Sequence, residues 1–132
     1  MSLIFAFSTT NEKKLINKHF GDADSFQIYE ISKTDSKFLK TVNNTSEEEG
    51  DENQRHGNPQ KAKSITEIVK NYGVQVLCGK RFGQNIVRMV NRFLPVLVSV
   101  DTIEEAIPLI QKNFQKIEEE WKKGESRKHL RI

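Results

Sequence analysis

Residues 3–7, Leu-Ile-Phe-Ala-Phe, form a short and wholly apolar run of β-forming side chains, the pattern of a central strand covered on both faces. Farther on, Phe26, Ile28 and Glu30 alternate with Gln27, Tyr29 and Ile31. After the polar stretch 32–36 a second run, 38–42, follows, so the two predict an antiparallel hairpin. Asn58 and Pro59 then supply a helix cap and a first-turn proline. Ala62, Ile65, Ile68, Val69 and Tyr72 recur at helical spacing until Gly73.

The second half switches to alternating strands and helices. Residues 74–77 read as a buried strand, Ile86, Val87, Val90 and Leu94 as one face of a helix, and residues 95–98 as a fifth strand. Thr102 with Glu105 makes a capping box. Ile103, Ala106, Ile107, Ile110, Phe114, Ile117 and Trp121 mark the apolar stripe of a long last helix, in which Pro108 predicts a kink or a delayed start. Beyond Trp121 the periodicity fades, which predicts a frayed basic tail over residues 123–132.

The order βββαβαβα predicts an α/β protein of three layers, a ribonuclease-H-like arrangement. It has a mixed five-stranded sheet in order 3-2-1-4-5 and helices on both faces. The loops after strands one, three, four and five then share one edge of the sheet, where open α/β folds bind ligands. His19 lies in the first of these loops and His56 in the second, while Cys78 begins the third. These are three of the chain's few soft or borderline metal ligands: it holds three histidines, two methionines and one cysteine in 132 residues.

Composition narrows the picture further. The length suits a single domain, expected over residues 1–122. A net charge of +3 permits a polyanionic partner without demanding one. The apolar run 3–7 is too short for a signal-peptide core or a membrane span, so a cytoplasmic protein without membrane attachment is expected. One cysteine excludes an internal disulfide. Residues 44–54, with Glu47, Glu48, Glu49, Asp51 and Glu52, read as a mobile acidic loop.

Two turns carry candidate chemistry. His19, Phe20 and Gly21 form a histidine-bearing glycine turn ahead of the hairpin. Cys78, Gly79, Lys80, Arg81, Phe82 and Gly83 form the second, and from Gly79 to Arg92 the chain has cations, including Arg88, but no acid. An anionic ligand suits a helix start so charged. The cysteine competes with an inert reading, as a thiol at the end of a buried strand.

The His-Phe-Gly turn, residues 28–31, the Val76-Leu77-Cys78-Gly79 run and Glu104-Glu105-Ala106-Ile107 together resemble the dinitrogenase iron-molybdenum cofactor biosynthesis family, over roughly residues 3 to 110. That family includes NifX-like and NafY-like carriers and the carboxy-terminal domain of NifB. The resemblance implies a ribonuclease-H-like fold and a role in binding or carrying iron-molybdenum cofactor or a related iron-sulfur cluster. Its partners would be proteins that donate or accept the cluster. Matched residue by residue, it marks His19, Phe20, Gly21, Cys78 and Gly79, with Lys80 and Arg81 in place of the commoner glycine-rich second loop. His19, His56 and Cys78 become the candidate metal ligands.

The reading that follows is a non-catalytic carrier, a nitrogenase-accessory type of protein. A nuclease is disfavoured because residues 1–11 hold no carboxylate to bind a metal ion at the first strand. The alternative is a nucleic-acid-binding or protein-interaction module of the same fold, ranked lower because no exposed aromatic pattern accompanies the basic residues.

Overall fold

The computed structural model describes residues 1–11, 13–44, 70–83, 90 and 92–132. Six strands form one sheet: β1 (Ser2–Thr9), β2 (Ser25–Ser32), β3 (Ser36–Asn43), β4 (Val76–Gly79), β5 (Leu94–Leu97) and β6 (Leu130–Arg131). Their order is β3-β2-β1-β4-β5-β6. β1 pairs antiparallel with β2 from Ser2↔Ser32 to Thr9↔Ser25, and parallel with β4 from Phe5↔Val76 to Phe7↔Cys78.

The apolar run that marked β1 is explained by what covers it. Leu3, Phe5 and Phe7 point to one side, into a cluster with Val76, Cys78, Val96, Ile103, Ala106, Ile110, Phe114 and Ile117. Ala6 points to the other side, among Phe20, Phe26, Ile28, Leu77 and Phe93. A strand packed on both faces needs no polar alternation.

Helices α1 (Ile103–Lys112) and α2 (Phe114–Trp121) cover the first of these faces. The N-cap half of the expected capping box is present: Thr102 Oγ1 accepts the Glu105 N–H at 3.2 Å, while the Glu105 carboxylate accepts from the Thr102 hydroxyl at 3.0 Å instead of from its backbone N–H. Pro108 sits inside α1, and the helix breaks five residues later, at Asn113. There the Nδ2 of Asn113 donates to Leu109 O at 2.9 Å, and its backbone N–H reaches both Leu109 O and Ile110 O. The expected single long helix is therefore two helices on one apolar stripe. The helices expected to begin at Pro59 and near Ile86 fall mostly outside the described residues. Gly73 does take the left-handed conformation that ends a helix, φ +72°. Leu94 opens β5 instead of closing a helical stripe.

Two further expectations are corrected. The sheet has a sixth strand where a frayed tail was expected, because Leu130 and Ile132 pack on the first cluster and the Ile132 N–H bonds Leu97 O at 3.0 Å. The segment leading there is held by two side chains. Glu120, almost fully buried, accepts the Lys128 N–H at 2.9 Å and the Lys123 ammonium at 3.0 Å. Arg127 lies 3.9 Å over the Trp121 ring and donates to Trp121 O and Val90 O. Asn44, expected to open the acidic loop, is buried and bonded; the rest of that loop lies outside the described residues.

Burial raises the Glu120 pKa, but the hydrogen bonds from Lys128 and Lys123 outweigh it and hold the carboxyl below its ordinary value of 4.5. A carboxylate lowered on folding stabilises the fold above that ordinary value and loses its contribution as pH falls through the lower folded value. Melting temperature measured between about pH 3 and pH 6 should therefore fall less steeply with acid in Glu120→Gln than in the wild type. Equal slopes would assign the acid response to other carboxylates.

Candidate functional site

β1 ends at Thr9, and the chain must turn back before β2. Asn11 Oδ1 accepts the Lys13 and Lys14 N–H groups at 2.9 and 2.8 Å, and Thr10 N–H bonds Lys14 O, closing a tight turn. Leu15 and Ile16 then drop into opposite core clusters. The chain surfaces at Asn17, stays exposed through the extended His19, and enters a single 3₁₀ turn, Phe20–Asp22, closed by Asp22 N–H on His19 O at 2.8 Å.

Three neighbours hold that turn. Asp24 N–H bonds Thr9 O at 3.0 Å from the β1 side, with Thr10 Oγ1 donating to Asp24 Oδ2. From the end of β3, Asn44 Nδ2 donates to Gly21 O at 2.9 Å and Ala23 O at 2.8 Å. From the end of β4, Arg81 O accepts the Phe20 N–H at 2.9 Å. The chain leaving β1, Asn44 at the end of β3 and the chain leaving β4 thus meet at one edge, as the strand directions require.

The two candidate turns interlock through rings and glycines. Phe20 is buried and stacks on Phe26 and on Phe82, centroids 5.1 Å apart in each case. A Cβ on Gly79 would lie 3.3 Å from the Phe20 ring and 2.8 Å from Ser8 Oγ. A Cβ on Gly83 would lie 2.9 Å from His19 Nδ1. Each glycine of the second turn therefore makes room for one residue of the first.

His19 and Arg81 pair as in a parallel sheet, so their side chains leave the backbone on the same side. Both are exposed. Among the described residues no hydrogen bond engages the His19 imidazole and no ion pair engages the Arg81 guanidinium. An imidazole beside a guanidinium can meet an anionic group that also accepts a nitrogen ligand.

The other candidates are placed differently. Lys80 is mostly buried and paired with Asp101, and that ammonium holds the Asp101 carboxyl below its usual range. Its charge is already committed, unlike that of Arg81. Cys78 is fully buried in the cluster on the helix-covered side of the sheet, whereas Phe20 packs on the opposite side. Burial pushes the Cys78 thiol far up, away from the thiolate that ligation needs. The fold does not bring it to His19, so its inert reading is the one that fits. His56 and Arg88 lie outside the described residues. Among those residues no group of three or more His, Cys, Asp or Glu side chains gathers to hold a metal ion.

Two participants escaped the sequence. Asn44 stood at the border of an acidic run and gave no sign of clamping a turn 21 residues earlier. Ser8, inside an apolar strand, is completely buried beneath Phe20 and Gly79, and among the described residues its Oγ has no hydrogen-bond partner.

A family profile described as dinitrogenase iron-molybdenum cofactor matches residues 1–113, which span β1 to β5 and α1. Among solved structures, that of a proposed dinitrogenase from Methanocaldococcus jannaschii is similar at 20% identity and a TM-score of 0.61, covering 86% of this chain and 91% of that one. At that identity the likeness concerns the fold alone. No curated protein matches the chain.

The packing beneath the turns gives a paired test. Ser8→Ala removes an unsatisfied buried hydroxyl and should raise unfolding stability by about 1 kcal/mol. Gly79→Ala drives a methyl against Ser8 Oγ and the Phe20 ring and should lower it by about 1–3 kcal/mol. Urea unfolding midpoints read both; a stabilising Gly79→Ala would show that the contact relaxes freely.

Proposed function

The chain belongs to the dinitrogenase iron-molybdenum cofactor family, and from that premise we propose that it binds and carries an anionic iron-molybdenum cofactor, or a related iron-sulfur cluster, as cargo and without catalysis. The observation that carries this reading is the exposed His19 imidazole set beside Arg81, which has no ion-pair partner among the described residues, on two interlocked turns. A preassembled cluster brings its own bridging sulfides, so one exchangeable nitrogen donor and one complementary cation suffice for capture and release.

The remaining residues divide by role. Phe20, Gly21, Gly79 and Gly83 shape and lock the turns, and Lys80 fixes the second turn to Asp101. Cys78 is core. His56, which the sequence puts after β3, is the second candidate donor. No helix among the described residues is long and apolar enough to cross a membrane. We place the protein in the cytoplasm, between proteins that supply the cluster and proteins that receive it.

Anaerobic titration of the apo protein with iron-molybdenum cofactor, and separately with iron-sulfur material, tests the proposal. His19→Ala should weaken binding at least tenfold, about 1.4 kcal/mol, while melting temperature stays within about 1 °C because an exposed ring contributes little burial. A variant that melts early yet keeps its affinity would make His19 structural. Arg81→Glu should weaken the same binding, with an effect that shrinks as salt rises. Nucleic-acid binding that persists at physiological salt, with no cluster uptake by the wild type, would favour the nucleic-acid module instead.

A further inference from the structure

The sheet treats its two edges differently. Beyond β5 the edge is closed by β6, a two-residue strand too short to template another chain. The residues that deliver it, 114–132, lie past the family match. At the other edge β3 runs for eight residues and pairs only with β2 among the described strands. Among the described residues nothing bonds its outer backbone groups, which leaves them open to a further strand.

The side chains on β3 are sorted by a bulge. Glu30 faces Lys37 and Tyr29 faces Phe38, but Ile28 faces Lys40, so Leu39 has no partner on β2. Without that extra residue Lys37 and Lys40, three apart, would fall on opposite faces. With it, both lie on the face of Ile28 and Glu30, where the Lys40 ammonium also sits 4.9 Å over the Tyr72 ring. Phe38 lies on the other face, against Tyr29 at 5.4 Å. Phe38 is 51% exposed, Leu39 42% and Tyr72 39%; of the described large apolar residues, Met1 alone is also counted as exposed.

An open edge with cations on one face and an exposed aromatic ring on the other selects its occupant. A second copy of β3 would bring lysines toward lysines, and edge lysines resist such self-pairing. The complementary strand alternates acids with apolar residues. We propose that β3 takes, by strand addition, an extended segment of a partner protein whose acidic side chains face Lys37 and Lys40 and whose apolar ones cover Phe38. Backbone bonds supply affinity and the alternation supplies selection. This surface is separate from His19 and does not depend on the cargo.

The probe is a labelled eight-residue synthetic peptide alternating glutamate with valine. It should bind one-to-one and slow amide exchange along residues 36–43. The double variant Lys37→Glu, Lys40→Glu, at exposed positions that leave the core untouched, should weaken this peptide at least tenfold and take up a lysine–valine peptide instead. Three results would overturn the proposal: no binding by the wild type, equal binding of a scrambled peptide of the same composition, or sedimentation showing self-association lost in the double variant, which would make a second copy the occupant.

Discussion

Leu3, Phe5 and Phe7 on one side of β1 and Ala6 on the other are completely buried, so β1 requires a covered layer on each face, and the rest of the chain is arranged to meet that need. On one face α1 and α2 lay down the stripe from Ile103 to Ile117. On the other, the connection out of β1 folds back and seats Ile16 and Phe20 against β2 and β4. The turn that carries His19 is therefore part of the covering layer. Its exposed end is a by-product of anchoring its next residue, Phe20, in the core.

This explains why the two turns behave as one body. Phe20 contributes a ring to the stack between Phe26 and Phe82 and an amide to the carbonyl of Arg81. Asn44 adds a third attachment from the end of β3. Exposed groups on loops are usually mobile; here the loops are anchored by buried aromatic packing one residue away. Lys80 and Arg81, adjacent and of like charge, are separated by the same logic. One turns to Asp101 and is consumed in the scaffold, the other stays in water.

The sequence made the central architecture legible because β1, the hairpin and the Thr102 cap each rest on local chemistry: a doubly buried run, alternation, and a side-chain acceptor three residues before a helical N–H. The order of the first five strands followed from connectivity. What the sequence hid was non-local. β6 has two residues of pairing and gains its place from Glu120, Arg127 and Trp121, contacts no periodicity records. Asn44 and Ser8 owe their roles to segments distant in the chain. At the site, placement on the shared edge anticipated that the His19 and Arg81 turns would lie side by side. It could not tell which face of β4 the Cys78 side chain takes, and that parity sends the thiol to the opposite side of the sheet from Phe20.

The glycines at positions 79 and 83 act together as a ruler. Each is spaced to receive a different residue of the opposing turn, Phe20 at the first and His19 at the second. What the fold fixes between them is a count, three intervening residues, more strictly than any identity. Exchanges of Lys80, Arg81 or Phe82 alter charge or stacking at one point. A single insertion or deletion would bring a side chain against Ser8 Oγ and the Phe20 ring at one point or against the His19 ring at the other. Length, here, is under tighter constraint than composition.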